Sequence, residues 1–173
     1  WRMKSKMAEI KGVTLKGLTR FVGMEGEAYQ GNICLNGKKV GWYSQDGNGG
    51  CSDIHYDSQD IRDKINAIVK EYFEEHPPEI DWANTNEFFF EELVNLILDE
   101  KDFKKAVKKG YAWYMVAKKV FDPNAVSYPV PIAYSIPQKL TTEKAMNELI
   151  SELKLKGYNK FKIYKSMDDF IIK

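Results

Sequence analysis

The Asn36-Gly37 pair constrains this chain more than any other feature. Both residues tolerate positive φ, which a two-residue type I′ hairpin demands at its two central positions. Tyr29, Ile33 and Leu35 alternate with other residues before the pair, and Val40 and Trp42 alternate after it. That period of two predicts an antiparallel strand on either side. A strand over residues 13–22, turning through Gly23 to Gly26, and a short one over residues 52–56 extend the hairpin into a β-meander. The connection Asp46-Gly47-Asn48-Gly49-Gly50 is rich in glycine and reads as flexible.

Helices follow. Asp57 is placed to cap the first, with Asp60 beside the positive end of its dipole. Ile61, Ile65, Ile68, Val69 and Tyr72 then share one face. His76-Pro77-Pro78 ends it, because proline excludes the preceding residue from helical geometry. Asn84 and Glu87 have capping-box spacing for a second helix, whose apolar positions are Phe88, Phe89, Leu93, Val94, Leu96 and Ile97. A third, short helix is expected over residues 101–109, ending at Gly110 as a left-handed cap. Residues 111–120 read as a central strand. Pro129, Pro131 and Pro137 confine residues 130–136 to an edge, since proline cannot donate to a ladder. Thr141 caps a helix carrying Ala145, Met146, Leu149, Ile150 and Leu153, and Gly157 ends it. Residues 161–165 form the last strand, and the apolar tail at 167–172 should dock. The expected fold is α+β: an N-terminal antiparallel β-meander, then helices, then a β-β-α-β part. With 173 residues, one domain is expected over 1–173, with subdivisions at 8–76, 77–110 and 111–173.

Composition excludes several classes. Hydrophobic residues make up 43% of the chain, enough to offset the ordering of a backbone, so disorder is excluded. No apolar run reaches the roughly 18 residues a membrane span needs. The N-terminal lysines lack the apolar stretch of a signal peptide. Trp1-Arg2 ahead of Met3 reads as an addition, with Met3 or Met7 as the native start. Cys34 and Cys51 are too few for a disulfide framework and read as buried free thiols, with a single bridge left open. These readings point to a cytoplasmic protein without a membrane partner.

Catalytic patterns are missing. His55 and His76 are the only histidines, and no Cys-x-x-Cys or His-Glu-x-x-His spacing exists, so no metal is expected. Asp46, Asn48 and Asp53 superficially suit calcium, but position twelve of that loop is Asp57 rather than glutamate. Cys51 and His55 fall on one face of a regular strand, roughly 13 Å apart and too far to share a proton. Neither a Walker loop nor a nucleophile elbow appears. The chain reads as non-enzymatic and cofactor-free.

Charge is segmental. The net charge of +1 hides residues 71–100, which hold ten acids and no lysine or arginine. Glu71, Glu74, Glu75, Glu79, Asp81, Glu87, Glu91 and Glu92 are therefore expected on one outward acidic face, with Trp82 as an aromatic anchor beside them. Such a face steers a protein partner with a basic surface. The plain alternative is a solvated helix face neutralised by neighbouring lysines. Asp46, Asn48, Gly49 and Gly50 are the candidate loop contacts. Lys101, Lys104, Lys105, Lys108 and Lys109 offer an alternative phosphate-binding patch. Nucleic acid is the weaker expectation, because only three arginines exist and base-edge reading favours arginine.

One resemblance bears on function. The block from Gly31 through Asn32, Ile33, Cys34, Leu35, Asn36, Gly37, Lys38, Lys39 and Val40 to Gly41, followed by Asp46-Gly47-Asn48-Gly49-Gly50, resembles the opening of small uncharacterised accessory proteins of phages and plasmids of Gram-positive bacteria. The ending Tyr164-Lys165-Ser166-Met167-Asp168-Asp169-Phe170 is similar to their tails. The resemblance implies an accessory gene of a mobile element. Such genes often encode small inhibitors of host defence, including anti-CRISPR proteins, whose partner is a nuclease or defence complex. It carries over no site residue.

Overall fold

The computed structural model describes residues 7–80, 84–120, 122–126 and 129–173. The fold is α+β, with two sheets. The chain divides into two compact units, one of Trp1–Ile97 with Ile171–Lys173 and the other of Leu98–Phe170. The division falls inside a helix, away from the expected boundaries at 76 and 110.

The first unit is built on a six-stranded sheet. Its strands are β1 (Glu9–Ile10), β2 (Val13–Val22), β3 (Glu27–Leu35), β4 (Lys38–Gln45), β5 (Asp53–Tyr56) and a short strand from the chain's end, Ile171–Ile172. The order is β5-β4-β3-β2-β1 and then the C-terminal strand, which pairs parallel to β1. The tail thus docks as expected. The Asn36-Gly37 hairpin has φ of 50° and 85° at its two central residues, as a type I′ turn requires.

The register of that hairpin contains one irregularity. Leu35 faces Lys38 and Cys34 faces Lys39, but Ile33 then faces Gly41. Val40 is the extra residue of a β-bulge. From there on the pairing runs Asn32 to Trp42 and Gly31 to Tyr43. Leu15, Ile33 and Tyr43 consequently point to the core and are almost fully buried. Lys16, Asn32, Trp42 and His55 form the adjacent cross-strand row on the opposite face, and all four are exposed.

Helices α1 (Gln59–Glu75) and α2 (Asn86–Lys108) supply the rest of the core. Ile65, Val69, Tyr72 and Phe73 are the buried residues of α1. Phe90 of α2 stacks on Tyr43 with ring centroids 5.5 Å apart, and Phe89 meets Tyr72 edge-on at 5.6 Å. The caps differ from expectation by one residue. Ser58, not Asp57, caps α1 by accepting from the Ile61 N–H at 3.2 Å. The Asp57 N–H is bonded to the Val40 carbonyl at 2.9 Å, which holds Asp57 against the sheet. Thr85, not Asn84, starts α2, accepting from the N–H groups of Phe88 and Phe89.

The expected second and third helices are one. Nothing between Ile97 and Lys101 breaks a helix; Leu98, Asp99 and Glu100 merely change the charge pattern. The helix ends in a Schellman motif, with Gly110 at φ 90°, its N–H on the Val107 carbonyl and the Tyr111 N–H on the Ala106 carbonyl.

The second unit is a three-stranded antiparallel sheet of β6 (Trp113–Lys119), β7 (Ile132–Ile136) and β8 (Tyr158–Tyr164), with β6 in the centre. Helix α3 (Glu143–Leu155) covers one face through Met146 and Leu153, which pack on Met115, Ala117 and Ile136. Its cap is Thr142 rather than Thr141, because Thr141 Oγ1 is turned to the Gln138 carbonyl of the preceding 3-10 turn. The last turns of α2 reach the other face. There Phe103 meets Phe170 and Phe170 stacks on Tyr164, at 5.4 and 4.2 Å.

Truncating Phe90 should cost about 3–5 kcal/mol, the range for a buried phenyl ring that leaves a cavity. Urea unfolding of Phe90→Ala against the parent checks this; a change below about 1 kcal/mol would mean the site collapses or is not packed.

Candidate functional site

The acidic segment does not form one outward face. Its first part lies at the end of α1, where Glu71, Glu74 and Glu75 are exposed. Lys11 sits in the tight turn between β1 and β2 and reaches two of them. Its Nζ lies 3.2 Å from Glu71 Oε1 and 3.0 Å from Glu75 Oε2, with only 11% of its side chain exposed. The hydrogen bond to Glu75 and then that to Glu71, together with both charges, raise the Lys11 pKa despite the opposing effect of burial. Glu74 and Glu79 remain outward. Asp81 and Trp82 lie outside the described residues.

The carboxylates of α2 turn inward instead. Glu87 accepts from the Ser52 backbone N–H at 2.8 Å, and Glu92 accepts from the Tyr72 hydroxyl at 2.5 Å. Burial and then the Glu92 hydrogen bond push the Tyr72 hydroxyl well above its usual pKa. Glu91 is half-buried, and burial followed by the Glu87 charge raises its pKa. The two acids at the end of the segment belong to the second unit. Asp99 accepts from the Tyr164 hydroxyl at 2.8 Å, and Glu100 is buried to 6% exposure against Lys104 at 2.7 Å. The premise that every acid must face water fails here because α2 carries apolar residues around most of its circumference. The acids between them are drawn in and take hydrogen bonds.

Beside Glu74 the surface is concave. Val69, Phe73, Pro77 and Pro78 give a groove its apolar lining, Asn66, Asn84 and Asn86 add amides, and Lys70 and Glu74 line it with one charge of each sign. The groove holds about 390 Å³.

The glycine-rich loop is tied down rather than flexible. Asn48 Oδ1 accepts from the Met24 N–H at 3.1 Å, the Gly47 carbonyl from the Glu25 N–H at 2.8 Å, and Asp46 Oδ1 from the Asn48 N–H at 2.9 Å. The Gly50 carbonyl accepts from Gln45, and Gly49 packs beside the Glu25 carboxylate. These bonds brace the turn between β2 and β3, so the loop's N–H groups at 47 and 48 are occupied.

In the second unit the expected phosphate patch is partly spent. Lys104 pairs with Glu100 and Lys105 with Asp102, while Lys101, Lys108 and Lys109 are exposed. Cys34 is buried and Cys51 exposed, both free, which corrects the expectation of two buried thiols. Cys51 lies outside β5, off the regular strand on which it was expected to share a face with His55.

Among the described residues no group of three His, Cys, Asp or Glu side chains is placed to hold a metal ion. No described helix is long and apolar enough to cross a membrane. The sequence reading missed the exposed row Lys16, Asn32, Trp42 and His55, in which the Trp42 and His55 rings stack at 5.6 Å and 17°. Compared with protein families, with curated proteins and with solved structures, the chain matches none.

Asp99 yields a pH test. Burial raises its pKa above the ordinary 3.8, outweighing the Tyr164 hydrogen bond and the charges of Lys162 and Lys118. An acid with a raised folded pKa holds its proton more tightly in the native state. Stability therefore falls as pH rises from the unfolded value through the folded one. Asp99→Asn does not titrate, so its stability relative to the parent should increase as pH rises from about 4 towards 7. Urea unfolding across that range checks it; a difference that is constant or runs the other way refutes the assignment.

Proposed function

We propose that this chain is a non-enzymatic, protein-binding accessory protein of a mobile element, an inhibitor of a bacterial defence nuclease in the manner of anti-CRISPR proteins. The observation that carries the protein-binding part is the end of α1. Its last turn holds carboxylates and no basic residue. A helix C-terminus carries negative partial charge, so carboxylates there are unfavourable and cations are preferred. Lys11 relieves Glu71 and Glu75 from within the chain, which leaves Glu74 beside the groove of Phe73, Pro77 and Pro78. Lys70 lines the same groove, so a lysine or arginine side chain of a partner would share Glu74 with it and compete for its charge. The partner's aliphatic stem lies on the rings and its charged head meets Glu74. The mobile-element and anti-defence part rests on the resemblance of the two ends of the chain.

The docking surface proposed is thus smaller than the whole acidic segment. Glu74 is its outward charge; Glu79 is exposed but does not line the groove. Glu87 and Glu92 are taken up by hydrogen bonds within the chain, and none of Glu87, Glu91 and Glu92 lines the groove.

Affinity capture from a Gram-positive host lysate, with the parent chain and with a Glu74→Lys/Glu79→Lys variant, tests the reading. The parent should retain a defence nuclease or a subunit of its complex, and the double reversal should lose it by tenfold or more, about 1.4 kcal/mol. Equal retention by both forms, or no specific retention by the parent, overturns it. Circular dichroism should show an unchanged fold, since both positions are exposed.

A further inference from the structure

We propose that the open face of the first unit's sheet binds single-stranded nucleic acid, with a base continuing the stack of Trp42 on His55. This goes beyond the docking surface at the end of α1 and uses none of its residues.

The face is defined by cross-strand register. Lys16 on β2 faces Asn32 on β3, Asn32 faces Trp42 on β4, and Trp42 faces His55 on β5. The next row, Thr19, Gln30, Ser44 and Asp53, is polar and largely exposed. Trp42 lies on an interior strand and keeps 43% of its surface in water. It is the one large apolar ring in a row whose other members are Lys16, Asn32 and His55. It is there because the Val40 bulge turns it outward. Bulges re-aim side chains in this way and are over-represented beside functional sites.

The chemistry of the row fits one class of ligand. Trp42, stacked on His55 on one side, has its other ring face for an unpaired base to continue the stack, whatever the base's sequence. Asn32 beside Trp42 carries both a donor and an acceptor for a base edge. Cations stand at the two ends. Lys16 lies on β2, about 14 Å from β5 at three strand spacings. Arg62 lies beyond β5, in a shallow pocket with His55, Ser58 and Gln59. A strand laid across the row therefore has its base on Trp42 and phosphates towards Lys16 and Arg62. The acids close by are Asp53, in the neighbouring row, and Asp57, 4.0 Å from His55 Nε2. They keep the face from being strongly cationic, so stacking rather than phosphate charge dominates. A duplex keeps its bases inside the stack and cannot use such a surface.

The test uses the full chain with fluorescein-labelled oligothymidylate and oligouridylate of about 12 nucleotides. Anisotropy and quenching of tryptophan emission are the readouts. Wild type should bind at low salt with quenching, and the slope of log K against log salt should be about −1.4 for two phosphate contacts. Trp42→Ala should weaken binding about ten- to a hundredfold. Trp42→Phe should keep most of the affinity but lose the quenching. Lys16→Ala should flatten the slope by about 0.7. The proposal is overturned if wild type binds neither oligomer, if Trp42→Ala binds as wild type, or if an equal-length duplex binds as well. It is also overturned if only a neutral polysaccharide quenches Trp42. Because Trp42 keeps 43% of its surface in water and lies on the face away from the core, thermal unfolding should show both Trp42 variants folded, with only a small drop in midpoint from the lost contact with His55.

Discussion

The pairing register of β3 and β4 decides most of what this molecule presents. A type I′ hairpin at Asn36-Gly37 begins the ladder, and the bulge at Val40 shifts it by one residue. In a sheet, one residue of shift exchanges the two faces. Had the ladder continued from the hairpin without the bulge, Trp42 would lie opposite Gly31, whose face is the core side. With the bulge, Tyr43 takes that place and stacks on Phe90 of α2, while Trp42 goes to water. The core of the first unit and the exposed row on its sheet thus share one cause.

The acidic segment illustrates a competition between solvation and packing. Ten carboxylates in 30 residues repel one another, and the simplest relief is water. That outcome holds at the end of α1, where the apolar residues form a single stripe. It fails on α2, where Phe89, Phe90, Leu93, Val94, Leu96 and Ile97 are all buried. A helix covered over so wide an arc has little outward surface left. Its carboxylates are satisfied by Ser52, Tyr72, Tyr164 and Lys104 instead. Lys11 matters for a related reason. It is 60 residues from Glu71 in sequence, so no local pairing rule could have found it.

Much of the fold was legible in the residues. The meander, the stop at His76-Pro77-Pro78, the edge position of β7 and the cap at Gly110 all follow from local backbone chemistry. Three of the errors were of one kind. Asp57 was favoured over Ser58, Asn84 over Thr85 and Thr141 over Thr142, since each is an acceptable cap and only neighbouring hydrogen bonds decide between them. The break expected between the second and third helices read a change of charge as a change of structure. Of the candidate site, the position of Glu74 was legible, but the groove beside it required α1, α2 and the proline turn to meet.

The sequence by itself determined the class of fold, the order of its elements, the lack of a recognisable catalytic motif and the segregation of charge along the chain. These depend on local propensities and on side-chain type, which act over a few residues. Only the tertiary structure decided which carboxylates face water, that Trp42 stands outside the core and that the glycine-rich loop is a brace. Those outcomes depend on which distant groups come within hydrogen-bonding or packing distance. A single bulge or a lysine in a distant turn sets that, and neither carries a local signature.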